Sequence, residues 1–214
     1  RSMSFRKLIL NINIIFKGIN MIKDIFTRGE FSGYRKQSLR EAYESVQIRD
    51  SAYYSSNKIS VFLSHKHDEL DDVRDVIGFL ESRFNVKCYI DSEDQTLPIY
   101  TSSETAAKIK DRIKQCDKFI LLATNGAIES KWCNWELGYG DAFKFSKNIA
   151  IFPFKGKFED FSGKEYLKLY PSVINVGDGE TYTNGRPIPP GYYIEYPNKD
   201  GSSNIQELSE WLRA

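Results

Sequence analysis

Among the residues of this chain that could do chemistry, Glu136 stands in the least ordinary company. It lies in the run Ser130-Lys131-Trp132-Cys133-Asn134-Trp135-Glu136-Leu137. At about 100° per residue, Trp132, Trp135, Glu136, Tyr139, Ala142 and Phe143 share an arc of about 120°, the width of a core-facing helical stripe. A carboxylate on such a face must be paired, must shift its pKa, or must open onto a pocket where a ligand satisfies it. Trp132, one turn earlier, offers a flat face for stacking, although aromatic stripes are as often plain core. The alternative for Glu136 is a first-turn acid favoured by the helix dipole. With Ser130 as N-cap, however, it falls in the second turn, where that effect has faded.

Other polar groups stand at the ends of apolar runs. Ile59 to Leu63 breaks into Ser64-His65-Lys66-His67, and Val86 to Ile90 breaks into Asp91. The histidines also fit a solvated loop, Asp68 fits a helix cap, and Asp91 fits hydrogen bonding to its own loop backbone. Two histidines and three cysteines show no metal-ligand spacing, so no metal is expected. Cys133, without a positioned histidine, reads as a packing thiol rather than a nucleophile.

These residues are carried by alternating elements. Strand Ile59 to Leu63 leads to a helix with Leu70, Val73, Val76, Ile77, Leu80 and Phe84 on one side, capped by Asp68. Strand Val86 to Ile90 and the loop Asp91 to Ser102 lead to a helix opened by the capping box Thr101-x-x-Glu104. Strand Lys118 to Ala123, the Glu136 helix and strand Ile149 to Phe154 continue the alternation. Such repetition implies βαβ crossovers and a parallel sheet, whose ligands gather at the carboxyl ends of strands. Val173 to Val176 reads as a fifth strand. Turn signals at Asn184-Gly185 and Pro189-Pro190-Gly191 frame a hairpin carrying Tyr192, Ile194 and Tyr196. A closing amphipathic helix bears Ile205, Leu208, Trp211 and Leu212 and is expected to dock on the sheet.

Composition narrows the function classes. A formal charge of +1 over 214 residues provides no global field for nucleic acid. Charge is uneven, since residues 1–40 hold nine basic residues against Asp24 and Glu30, leaving −6 for the remainder. In that basic segment Leu8, Ile9, Ile12, Ile15, Phe16, Ile19, Ile22 and Phe26 recur at helical spacing, and Asn11, Asn13, Lys17, Asn20 and Lys23 interrupt it. The stripe is too broken for a membrane span or a signal peptide. It predicts amphipathic helices that pack on protein, with an anionic membrane surface as the lesser alternative.

Three motifs in order resemble the TIR domain family: Ser64-His65 closing the first strand, Tyr89-Ile90-Asp91 closing the second, and Trp132-x-x-x-Glu136 on the helix. The resemblance covers about residues 58 to 156. It implies a flavodoxin-like α/β fold, with a central parallel sheet of about five strands flanked by helices. The TIR domain would span residues 58–214, including an extended loop and hairpin region at about 177–203, behind an N-terminal helical extension at residues 1–50. The bacterial NAD-consuming, anti-phage (Thoeris-like) type implies an NAD+ glycohydrolase or cyclase acting on the nicotinamide–ribose bond, with NAD+ as substrate and no cofactor. By that resemblance Glu136 is catalytic, while Ser64, His65, Lys66, Asp91 and Trp132 line the substrate cleft, Lys66 suiting a diphosphate. It further implies a cytoplasmic protein that self-associates through TIR domains, using the loop 91–102, and a separate effector that reads the product. A non-catalytic TIR adaptor is the alternative, disfavoured because adaptors need not keep the glutamate. A receiver-like signalling domain would need an acidic cluster where Ser64-His65-Lys66 stands.

Overall fold

The computed structural model describes residues 25–35, 58–94, 96–97, 102–144, 146–161, 163, 168–200 and 202–214. Its strands are β1 (Phe26–Thr27), β2 (Ser60–Ser64), β3 (Lys87–Tyr89), β4 (Lys118–Ala123), β5 (Ile149–Lys155), β6 (Ser172–Val176), β7 (Gly191–Pro197) and β8 (Ser203–Glu207). The helices are α1 (Leu70–Phe84), α2 (Ser103–Gln115), α3 (Asn125–Glu129), α4 (Lys131–Lys144) and α5 (Leu208–Arg213).

All strands join one sheet in the order β3-β2-β4-β5-β6-β7-β8, with β1 pairing β5 off this path. Strands β2 to β6 are mutually parallel, so their order is the doubly wound 2-1-3-4-5 and its switch point falls between β2 and β4. The expected five strands are thus present, and three more extend them. β7 and β8 add antiparallel to β6, which makes the predicted hairpin region a continuation of the sheet. Ile205 falls in β8 rather than in the closing helix, and α5 buries Leu208, Trp211 and Leu212.

β4 is buried at every position and β5 at all but its last, as expected of central parallel strands covered on both faces. One core gathers Val73, Val76, Phe79 and Leu80 of α1 with Phe152, Phe154 and Trp211. A second lies under α2, α3 and α4 and includes Ile109, Ile113, Phe119, Cys133 and Leu137, and a smaller third gathers Ile174, Val176, Ile188 and Tyr193.

The helix expected to reach Phe26 does not do so. Phe26 pairs with Phe154 in the sheet, and Phe31 is buried against Phe79. The apolar spacing that looked helical ends in rings which bury more surface against the aromatic core of β5 and α1 than an isolated helix would offer them. Arg28 and Arg35 then fasten this strap to α1, at 3.1 Å from Asp72 and 2.6 Å from Asp75. Residues 25–35 therefore pack on the core as a short strand and turn, where an amphipathic helix was expected at Phe26. The remaining helices expected within residues 1–50 lie outside the described residues.

Two predicted caps also move. α1 begins at Glu69 without a side-chain cap, and Asp68 pairs with Lys66 at 3.1 Å instead. α2 is capped by Ser102, whose hydroxyl accepts from the Thr105 amide at 3.1 Å.

Candidate functional site

The carboxyl ends of β2 and β3 carry Ser64-His65-Lys66 and Asp91, and α4 crosses behind them. Ser130 caps α4, its hydroxyl accepting from the Cys133 amide at 3.3 Å. This start sets the helix rotation. Cys133, Glu136, Leu137, Gly140 and Lys144 turn inward. The aromatic residues do not form the core-facing stripe that their spacing predicted. Trp132, Trp135, Tyr139 and Phe143 stack along the helix flank at 4.9, 6.0 and 4.6 Å, and Phe143 and Ala142 are exposed. The reason is close packing, because a Cβ on Gly140 would stand 3.1 Å from the Phe119 ring. At Gly140 the helix closes on β4 with no room for a ring, so the aromatic side chains lie to its side and are covered in part by Lys110 and Lys114.

Glu136 remains on the inward face, 1% exposed. Ser64 Oγ donates to its Oε2 at 2.5 Å, while Oε1 finds no hydrogen-bond partner among the described residues. Burial raises the Glu136 pKa well above the usual carboxylate range, and the negative charge of Asp91 adds to this; the Ser64 hydroxyl and the Trp132 side chain act in the opposite direction. A buried carboxylate with a free oxygen is a strained arrangement for a folded chain alone and a suitable one for a cationic ligand.

Asp91 is nearly as buried but is held ionised. Burial alone would raise its pKa, yet the His67 hydrogen bond at 2.9 Å and the charges of His65 and His67 keep it below the usual value. His67 is correspondingly raised by that hydrogen bond. His65 is the reverse case, buried and pushed down by desolvation against the opposing pull of Asp91. Its Nδ1 meets the Leu63 carbonyl at 3.1 Å and its Nε2 meets the Ser92 hydroxyl at 2.9 Å.

A cavity of about 750 Å³ opens here. His65, Lys66, Asp91 and Trp132 line it. Ser64 and Glu136 do not: both are buried behind its wall, joined to each other. Lys66 lies over α3 where Gly126 leaves room, and its ammonium is held by Asp68. An anionic ligand would have to draw it away.

The TIR domain family matches residues 61–174. The chain belongs to this family. A probable 3′ cyclic ADP-D-ribose synthase, ThsB′, of Bacillus cereus is 30% identical over 162 residues, which cover 70% of this chain and 82% of that protein. A putative cyclic ADP-D-ribose synthase, TIR2, of Cytobacillus dafuensis is 24% identical over 138 residues, 59% of this chain and 36% of that longer protein.

In this TIR domain, sequence reasoning left part of the cavity wall unassigned. Thr105 and Ile109 enter it from α2, and Ser92 and Asp94 from the loop after β3. Nothing in the sequence marks this face of α2 as cleft rather than core. Asp94 fastens the start of the loop. It accepts from Tyr89 Oη at 2.6 Å, from Thr96 N at 2.9 Å and Thr96 Oγ1 at 2.6 Å, and meets Arg112 at 3.4 Å. Cys133 is the packing thiol expected: buried, its Sγ donating to the His65 carbonyl, and its pKa pushed up to about 11, chiefly by burial.

Proposed function

We propose that this TIR domain cleaves the nicotinamide–ribose bond of NAD+ and transfers the ribosyl carbon to an acceptor within the same molecule, releasing nicotinamide and a cyclic ADP-ribose as a signal in bacterial anti-phage defence. The observation that carries this reading is the buried Glu136 with one unpaired oxygen, set behind a cavity at the sheet's switch point. The names of both relatives favour cyclisation over hydrolysis.

The chemistry asks little of the protein beyond that carboxylate. Nicotinamide is a pyridinium in NAD+, so the bonding pair leaves with its nitrogen and no general acid is required. Positive charge grows on the ribose, and a preorganised carboxylate in a dry site is worth most at that moment. Glu136 faces that charge and then takes the proton which the acceptor hydroxyl loses on capturing the cation. Trp132 stacks on a ring and keeps water out, which directs capture to the internal acceptor. Lys66 holds the diphosphate once released from Asp68. Because Trp132 lines the cavity while Glu136 lies behind it, substrate entry displaces the Trp132 side chain. On this reading the partners are a second TIR domain, as self-association completes the cleft, and a separate effector that binds the product.

Incubation with NAD+ followed by mass separation of the products tests the proposal. The expected products are nicotinamide and a nucleotide one water lighter than ADP-ribose, both formed at least about 100-fold more slowly with Glu136→Gln. ADP-ribose alone would make the protein a hydrolase. No consumption of NAD+ at any protein concentration, including assembled states, would leave the adaptor reading in its place.

A further inference from the structure

His65, His67 and Asp91 are distant in sequence and adjacent in space because β2 and β3 are neighbouring parallel strands in register, Phe62 opposite Tyr89. The polar residues that follow each strand therefore emerge side by side. One ligand atom from each of the three lies within 4.8 Å of the others. His67 Nε2 stands 2.9 Å from Asp91 Oδ2. All three residues line the cavity, so the group is open on one side.

The hydrogen bonds fix how each group presents itself. The Leu63 carbonyl can only accept, so His65 Nδ1 carries the proton and Nε2 keeps its lone pair, which receives the Ser92 hydroxyl. A ring N–H donated to a backbone carbonyl is the arrangement that orients a metal-binding imidazole. His67 donates Nε2–H to Asp91, and a metal ion would replace that proton, which passes to solvent.

We propose that His65, His67 and Asp91 form a binding site for one divalent transition-metal ion, with Zn2+ the best match, its remaining coordination position opening onto the cavity. Two imidazole nitrogens and a carboxylate oxygen suit Zn2+ and disfavour Mg2+ and Ca2+, which take oxygen ligands. The site stands on this geometry alone.

Cobalt is the probe. Full-length protein, stripped with a chelator, is titrated with Co2+ and then with Zn2+, and absorption and calorimetry are followed together. The expected result is one Co2+ per chain, with visible d–d bands of nitrogen and oxygen coordination, no thiolate charge-transfer band, and displacement by Zn2+ but not by Mg2+. His67→Ala should weaken Zn2+ binding at least about tenfold, since even partners one layer further from a metal are worth about 10- to 100-fold. His67 is more than half exposed, so its loss leaves the fold intact, and circular dichroism checks this. Asp91→Asn should weaken binding similarly. Failure of the wild type to take up metal, a thiolate band, or wild-type affinity in either variant would overturn the site.

Discussion

Ser64 Oγ donates a 2.5 Å hydrogen bond to Glu136 Oε2 inside the protein, tying the end of β2 to the middle of α4. This contact satisfies one oxygen of a carboxyl group whose other oxygen has no hydrogen-bond partner among the described residues. The two oxygens therefore differ, and substitution can separate what the hydroxyl contributes from what the buried charge costs.

Glu136→Gln should lower NAD+ cleavage by about 100-fold or more, the scale of losing one preorganised electrostatic group. The same change should stabilise the fold. Because the folded-state pKa of Glu136 is raised, the wild type loses stability as pH rises from the ordinary carboxylate range through that raised value. The amide does not ionise. The variant's Tm advantage should therefore widen from pH 5 to pH 8, at about 2–4 °C for each kcal/mol. An advantage that shrank over this range would remove the claim that Glu136 is destabilising when charged.

Ser64→Ala and Asp91→Asn should move the acid limb of the pH–rate profile in opposite directions. Ser64 stabilises the charged form of Glu136, so its loss raises that pKa and shifts the limb to higher pH. Asp91 opposes the charged form, so its neutralisation shifts the limb to lower pH. Asp91→Asn should also lower the His67 pKa, followed by the NMR shift of its ring protons, because the hydrogen bond that raises it is weakened. Limbs that moved together would mean that the profile does not report Glu136.

The parallel sheet, the strand ends and the carboxylate were all legible because each is written locally: apolar runs of strand length, breaks into polar residues, and one acid among rings. What was hidden depends on approach between elements. Periodicity put Trp132, Trp135 and Phe143 on the buried arc of α4, yet the true centre is marked by the small residues Cys133 and Gly140, which let the helix close on Phe119. Likewise the two histidines showed no metal-ligand spacing on their own. Their third partner, Asp91, comes from the neighbouring strand, and only the register of β2 against β3 brings it near. Phe26 read as the end of a helix because a helical period cannot tell which partner its rings will find.

Cys88, Cys116 and Cys133 are all buried free thiols. With Cys133 pushed up to about 11, little thiolate exists near neutral pH. Iodoacetamide at pH 8 should label none of the three in the folded protein within minutes, and all three after denaturation, read by intact mass. Rapid single labelling at Cys133 in the folded protein would restore it as a nucleophile.

Gly78→Ala tests the strap of residues 25–35. Helix propensity alone favours alanine over glycine by about 1 kcal/mol, so an exposed helical site would gain stability. Here an added Cβ would stand 1.8 Å from the Tyr34 carbonyl oxygen, and either the strap or α1 must shift. Overpacking of this kind costs about 1–3 kcal/mol, enough to reverse the sign. The variant should melt several degrees below the wild type. Trypsin should also cut faster after Arg28 and Arg35, whose guanidinium groups are otherwise held by Asp72 and Asp75. If Tm rose as propensity predicts, with no change in cleavage, the strap would not be packed on α1, and the amino-terminal segment would be an attachment after all.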